Sequence, residues 1–207
     1  MKQGTWREKL EYFWMYYKIP FLTVVFLFAV AAYFIYAKAA EKEPAFSAIL
    51  LDIHTDVQEE ALEEEFAEYA GIDTGKYEVQ ISTSLLFSDA SSGGYAMASL
   101  ARVYTQIGTE ELDVCMMLGE DFAEYAEADS FLDLREVFTE EELEQFPGLY
   151  RDENGRVLGV YGDGLEKIEE IKGYSGETPK GIAGVLYNTK HPETAKQFLE
   201  YLLEGEG

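Results

Sequence analysis

The residues best placed to do chemistry in this chain are polar side chains that directly follow short apolar runs. If those runs are parallel strands, their carboxyl ends share one edge of a sheet, where open α/β folds bind ligands. For each single residue, capping or solvation is the preferred explanation over ligand contact, because Asp, Ser and Thr are generally favoured at helix N-caps. The candidates are Asp52, His54, Thr55, Thr83, Ser84, Glu120, Asp121, Tyr161 and Asn188.

Catalytic and metal-binding motifs give no comparable signal. The two histidines, His54 and His191, have no metal-ligand spacing, and neither forms a serine or cysteine triad pattern with its sequence neighbours. Cys115 is the only cysteine, and its apolar surroundings favour burial over reactivity. The glycines between Gly159 and Gly164 lack the order of a phosphate-binding loop, so we interpret them as a turn. We expect no enzyme, no cofactor and no metal, while His54 would make ligand binding sensitive to pH near neutrality.

Apolar periodicity predicts the elements that carry these residues. Alternating or continuous apolar runs indicate strands, and apolar residues spaced three and four apart indicate amphipathic helices. Thr139 and Glu142 have the spacing of a capping box, and residues 152–155 are typical of a hairpin turn. The predicted strands are 46–53, 77–83, 112–118, 157–161 and 181–187, and residues 131–137 are predicted to be extended. The predicted helices are 57–70, 95–107, 120–128, a short one from 139, 165–171 and 192–203. Strands separated by helices predict an α/β domain, three-layered, with a mainly parallel sheet.

An uncharged segment near the N-terminus, Ile19–Ala37, predicts how the chain is held. As a helix it extends about 28 Å, close to the roughly 30 Å hydrocarbon core of a bilayer. Pro20 would then stand at the second position of that helix, where a missing N–H is tolerated. A cleaved signal peptide is the alternative, but the apolar run is longer than such peptides carry, and 18 residues precede it. We therefore predict a juxtamembrane segment over 1–18, a transmembrane helix over 19–37, a linker over 38–45 and a domain over 46–207.

Charge sets the expected orientation and excludes some partners. Residues 1–18 carry four Lys and Arg and several aromatic side chains, a pattern that places the N-terminus in the cytoplasm. The domain should then lie outside the cell, held in the bilayer by Ile19–Ala37. Residues 45–207 contain 10 Lys and Arg against 36 Asp and Glu, a net charge of −26. Such a charge repels phosphate backbones, so we expect no nucleic acid among the partners.

Several short segments, taken in order, resemble the extracellular type II solute-binding proteins. The first segment is Met97–Leu118, in which an apolar helix is followed by a glycine and then by Glu111–Val114. The others are the run from Phe122 to Leu134, the stretch Leu158–Val160 after an Asn-Gly turn, and Tyr187–Leu203. The resemblance extends over residues 46–203 and implies one lobe of such a protein. It departs from the family in length, because residues 161–181 are too few for a second lobe. It departs also in the membrane helix, since the family is usually lipid-anchored or free.

Three functions of different classes follow from these observations. The resemblance implies a membrane-anchored domain that captures a small polar solute or peptide at the cell surface, in connection with transport. A non-catalytic module that docks a membrane protein partner, or a sensor, is the alternative, and it predicts an exposed apolar patch. An enzyme is the third, and it requires a catalytic constellation that the spacing of the residues does not show.

Overall fold

The computed structural model describes residues 6–40, 42–53, 55, 57–85, 93–171 and 181–204. These residues divide into two compact units, with the boundary between Lys42 and Glu43. The first unit is a single helix and the second is a mixed α/β domain. His54, one of the nine candidate residues, lies outside the described part of the chain.

The first unit consists of helix α1, Trp6–Ala40. Its segment Tyr17–Tyr36 has a mean hydropathy of 2.3 over its most apolar window, and it is long and apolar enough to cross a membrane. The helix begins 13 residues before the predicted apolar segment, so Pro20 lies inside it and not near its start. Proline has no N–H to donate, so one backbone hydrogen bond of α1 is missing at this point.

The second unit contains six strands and six helices among the described residues, with one short 3-10 helix, Leu134–Glu136. The strands are β1 Glu43–Leu50, β2 Tyr77–Ser82, β3 Val114–Leu118, β4 Leu149–Arg151, β5 Val157–Tyr161 and β6 Gly181–Val185. The helices are α2 Glu59–Tyr69, α3 Gly93–Gly108, α4 Gly119–Glu127, α5 Glu140–Leu143, α6 Glu166–Ile171 and α7 Pro192–Glu204.

The strands form one sheet in the order β2-β1-β3-β6-β5-β4. Strands β2, β1 and β3 are parallel, whereas β6 pairs antiparallel with both β3 and β5, and β4 pairs antiparallel with β5. The predicted α/β character is therefore confirmed, but the prediction of a mainly parallel sheet needs correction, since three of the five pairings are antiparallel.

Side chains from alternate residues of the strands join two separate hydrophobic clusters. On β1, Phe46, Ala48 and Leu50 belong to one cluster, while Ile49 and the residue just after the strand, Leu51, belong to the other. Successive residues of a strand point to opposite faces, so the clusters lie on the two sides of the sheet. Helices α2, α5, α6 and α7 contribute buried residues to the first cluster, and α3 and α4 contribute to the second.

Aromatic rings fill the centre of both clusters. In the first, the rings of Phe46, Phe66 and Phe198 contact each other with centroids 4.8–5.0 Å apart, which fixes α2 and α7 against β1. In the second, Phe122 stacks on Phe131 at 4.1 Å. This pair lies directly against the backbone of β6 at Gly184. A side chain does not fit there, because a Cβ on Gly184 would come within 2.7 Å of Phe131.

Most of the predicted elements are present, with ends shifted by a few residues. The capping box is confirmed, since Thr139 and Glu142 bond reciprocally at the start of α5. Residues 131–137 are the exception: only Phe131 makes a bridge, to Leu186, and a 3-10 turn follows. Asp133 causes that turn, because its carboxylate accepts the backbone N–H of Arg135.

Candidate functional site

The carboxyl ends of β1, β2, β3 and β5 lie at one edge of the sheet, which we call the switch-point edge. After β1 the chain enters α2, which packs in the first cluster, and after β3 it enters α4, which packs in the second. Neighbouring strands whose connections leave to opposite faces form a crevice, and this is where open α/β sheets bind ligands. The crevice here lies between β1 and β3.

Asp52 lies at this crevice, two residues beyond β1. Its side chain is almost fully buried, and its backbone adopts a left-handed conformation with φ of 57°. Asp tolerates this conformation better than most residues do. Its N–H donates to the carbonyl oxygen of Leu85 at 3.0 Å, which holds the chain after β1 against the chain after β2.

Glu120 and Asp121 lie in the first turn of α4, which begins directly at the end of β3; Glu120 is exposed and Asp121 is half-buried. Burial raises the pKa of the Asp121 carboxyl above its usual value, and the charges of Asp52, Glu124 and Glu120 raise it further. Carboxylates from β1 and β3 are therefore close enough to repel each other. A positively charged or hydrogen-bond-donating group placed between them would relieve that repulsion.

Thr83 and Ser84 also lie at this edge, but a residue of α2 already binds them. The Glu59 carboxylate accepts the N–H of Thr83 at 2.6 Å and the N–H of Ser84 at 2.9 Å. Burial opposes ionisation of Glu59, yet these donors prevail and lower its pKa. One helical turn later, Glu63 accepts the N–H of Ile81 at 3.0 Å.

These contacts have a structural purpose that the sequence did not reveal. Strand β2 is at the edge of the sheet, and unpaired N–H groups on an edge strand invite pairing with other chains. Glu59 and Glu63, four residues apart on α2, occupy such groups. The only sequence signal for this arrangement is that spacing on an acidic helix, and it does not distinguish a bonded face from a solvated one.

The remaining candidates are placed differently from one another. Tyr161 ends β5 at the switch-point edge, where its half-buried ring lies 6.5 Å from that of Tyr150. Thr55 is engaged locally, since its hydroxyl accepts the N–H of Val57 at 3.0 Å. Asn188 does not belong to this edge, because β6 runs antiparallel to β3 and its carboxyl end lies at the opposite side. There its amide donates to the carbonyl oxygen of Ile107 at 2.8 Å.

A second polar cluster, missed at the sequence level, lies at that opposite edge around Asp113. Its buried carboxylate accepts the N–H of Ser47 at 2.9 Å and the hydroxyl of Thr189, and it lies 3.2 Å from the His191 ring. The hydroxyl proton of Thr189 points to the carboxylate and not to the imidazole, so this is not the arrangement that activates a nucleophile. The cluster ties β1, β3 and the start of α7 together.

Metal and thiol chemistry find no support in the described residues. Among them, no group of three or more His, Cys, Asp or Glu side chains is arranged to hold a metal ion. Cys115 is fully buried in β3, and burial raises the pKa of its thiol to about 12. A thiol of that pKa stays protonated at neutral pH and is a poor nucleophile.

Comparison of the chain with protein-family models, with curated proteins and with solved structures gives no match. The class of protein is therefore defined by the structure itself: a mixed α/β domain that follows an apolar helix long enough to cross a membrane. Within that class, the switch-point edge with Asp52, Glu120, Asp121 and Tyr161 is the candidate ligand site.

Proposed function

We propose that the chain is a membrane-anchored domain that captures a small polar solute outside the cell. The observation that carries this proposal is that Asp52 and Asp121 follow the paired parallel strands β1 and β3 at one edge of the sheet, where the charge of Asp52 contributes to the raised pKa of Asp121. Buried and half-buried carboxylates accept hydrogen bonds from hydroxyl and ammonium groups and repel anions. The solute is accordingly a polyol, an amine or a short basic peptide.

The domain in this proposal is a single three-layered lobe of the solute-binding type. Helices that contribute to the hydrophobic clusters on both sides of the sheet support the layers. The segment Tyr17–Tyr36 is the anchor in this proposal, and the excess of Lys and Arg before it supports a cytoplasmic N-terminus. Capture at the membrane surface would deliver the solute to a transport protein beside it.

Ligand capture is tested on the full chain in maltoside micelles by thermal unfolding against sugars, polyols, amino acids, amines and short peptides. A ligand at one hundred times its dissociation constant adds about 2.7 kcal/mol of stability, which raises the melting temperature by several degrees. The substitution Asp121→Asn should abolish that shift. Its matched control, Glu127→Gln at the exposed end of the same helix, should leave it unchanged.

Two results would contradict this proposal. One is a folded chain whose melting temperature no compound in the panel raises. The other is that every shift found is the same with Asp121→Asn as with the unmodified chain, because no ligand in the panel would then depend on the crevice.

Orientation is tested with one added cysteine at Glu153, an exposed position in the turn between β4 and β5. The native Cys115 is buried and should contribute little background. A maleimide that does not cross membranes should label the Glu153→Cys variant on intact cells. Labelling only after the cells are opened would reverse the proposed topology.

One observation favours a second function, the docking of a membrane protein partner. Helix α3 has a single charged residue, Arg102, among 16 residues of a chain with a net charge of −24. It exposes Met97 by 66% and Tyr104 by 53%. A photo-crosslinking amino acid at Met97 that captures one membrane protein in cells, together with an unresponsive ligand panel, would favour docking over solute capture.

A further inference from the structure

A groove between α3 and α4 is a second possible binding site, separate from the switch-point edge. Its cavity has a volume of about 150 Å³. One wall comes from the last two turns of α3 and the other from α4 and the residues just after it. The lining residues are Tyr104, Ile107, Glu124, Tyr125, Ala128 and Ser130.

Hydrogen bonds from the opposite edge of the sheet fix both walls of the groove. The Asn188 amide holds the carbonyl oxygen of Ile107 on the α3 side at 2.8 Å. On the α4 side, the N–H of Ser130 donates to Tyr125 and its carbonyl oxygen accepts the N–H of Tyr187, both at 3.0 Å. Tyr187 and Asn188 follow β6, so the groove lies at the end of the sheet away from Asp52. A groove with fixed walls loses little conformational entropy when it binds a ligand.

Two stacked tyrosines form the most distinctive part of this groove. The rings of Tyr104 and Tyr125 are 5.6 Å apart between centroids and inclined by only 25°. Tyr125 is 92% buried, and no hydrogen bond of normal geometry reaches its hydroxyl from the described residues. Burial raises the pKa of Tyr125, as does the neighbouring Tyr104 hydroxyl, so the phenol stays protonated.

The charge around the groove favours one kind of ligand. Glu124 is the only charged residue among the described residues that line the groove, and its charge acts on the Tyr125 hydroxyl. The domain as a whole is strongly acidic, so its field draws cations toward the surface and repels anions. The faces of tyrosine rings attract cations of low hydration, above all alkylated ammonium groups.

We propose that the groove binds a small organic cation, an amine or quaternary ammonium group, against the stacked rings of Tyr104 and Tyr125 with Glu124 as counter-charge. This site is independent of the solute site at the switch-point edge, and either one can exist without the other.

Choline is the probe, and 3,3-dimethylbutan-1-ol, which has the same shape without the charge, is its matched control. Calorimetry on the full chain in maltoside micelles avoids choline-headed detergents. Choline should bind saturably. The neutral alcohol should bind roughly three- to thirty-fold more weakly, which is the loss of affinity expected when a cation–π contact is removed. Tyr104→Ala and Glu124→Gln should each weaken choline binding by a factor in that range.

Two further variants locate the bound cation. Tyr77→Ala removes an exposed tyrosine from β2 and should change nothing. Asp121→Asn, which tests the proposed solute site, should also leave choline binding intact. Equal affinity for choline and the alcohol, absence of choline binding by the folded chain, or loss of binding in Asp121→Asn with Tyr104→Ala unaffected would each overturn the assignment of this groove.

A dissolved cation and a lipid headgroup present the same ammonium group, and nanodiscs distinguish the two. In phosphatidylglycerol nanodiscs, choline should bind as it does in micelles. Weaker binding in phosphatidylcholine nanodiscs would show that headgroups fill the groove, whereas equal binding in both would identify the ligand as a dissolved cation.

Discussion

Replacing Asp113 by alanine tests whether the cluster at the opposite edge of the sheet holds the domain together. The carboxylate is only 4% exposed and accepts bonds from the backbone of β1, from Thr189 and from the His191 ring. Backbone groups of Asp113 take part as well, because its N–H donates to Ser47 at 2.9 Å and its carbonyl accepts from Leu186 at 2.8 Å. The substitution removes the side-chain contacts and leaves the backbone contacts in place.

The size of the effect follows from what the substitution leaves unpaired. The N–H of Ser47 loses its acceptor in a buried strand, at a cost of about 1–3 kcal/mol, and the bond from Thr189 to a charged group contributes a similar amount. We expect Asp113→Ala to lower the free energy of unfolding by about 3–4 kcal/mol. Asp113→Asn retains an acceptor oxygen for Ser47 and should cost about 1–2 kcal/mol. His191→Ala, which removes a partly solvated ring, should cost less than about 1 kcal/mol.

The assay is urea unfolding of the full chain in maltoside micelles, followed by the near-ultraviolet circular dichroism of the tyrosines. Tryptophan fluorescence is unsuitable, because Trp6 and Trp14 both lie in α1 and would not report on the α/β domain. Hydrogen exchange of the Ser47 amide should also accelerate in Asp113→Ala. Glu153→Ala, at an exposed turn, is the control and should stay within about 0.5 kcal/mol. A loss below about 1 kcal/mol for Asp113→Ala would refute this account of the cluster.

Three further predictions concern the core, the edge strand and a buried lysine. Phe198→Ala should lower the free energy of unfolding by about 3–5 kcal/mol in the same assay, because it leaves a cavity at the centre of the first cluster. A loss below about 1.5 kcal/mol would contradict this and would mean that neighbouring side chains fill the cavity. Glu59→Ala should cost about 1–3 kcal/mol and promote association measured by sedimentation, whereas exposed Glu60→Ala should do neither. Since the pKa of Glu59 is lowered on folding, its contribution to stability is present above its unfolded pKa and is lost as the pH falls through the lower folded value. A difference in unfolding free energy between the unmodified chain and Glu59→Ala that does not change with pH would contradict this. Lys167 is buried between Glu65 and Glu170, so Lys167→Ala should cost more than Lys167→Met, which fills the same space. An alanine variant no less stable than the methionine variant would contradict this packing role. Burial lowers the pKa of Lys167, but the two carboxylates prevail and raise it. Its ionic contribution is therefore present below its unfolded pKa and disappears as the pH rises through the folded value.

Local patterns were enough to predict most of the elements of this chain. Apolar spacing located the strands and helices, and the pair Thr139 and Glu142 correctly placed the start of α5. These features depend on residues two to four positions apart, which the sequence displays directly. The candidate site was predicted in part by the same reasoning, because Asp52 and Asp121 follow neighbouring parallel strands.

Strand order and direction were outside the reach of such patterns. The run Gly181–Val185 is apolar on both faces, so it fits between parallel or antiparallel neighbours equally well, and only its insertion between β3 and β5 sets its direction. That direction moved Asn188 away from the candidate site. The bonds from Glu59 to Thr83 and Ser84 depend likewise on how α2 packs against the edge strand.

The sequence by itself determined an apolar helix of membrane-spanning length, a highly acidic α/β domain and the polar residues that end its strands. Only the tertiary structure decided which of those residues meet. It joined Asp113 to His191 across 78 positions and stacked Tyr104 on Tyr125 beside Glu124. The physical reason is that such contacts form only after chain segments distant in sequence have packed, and their side chains show no periodicity by which they could be recognised beforehand.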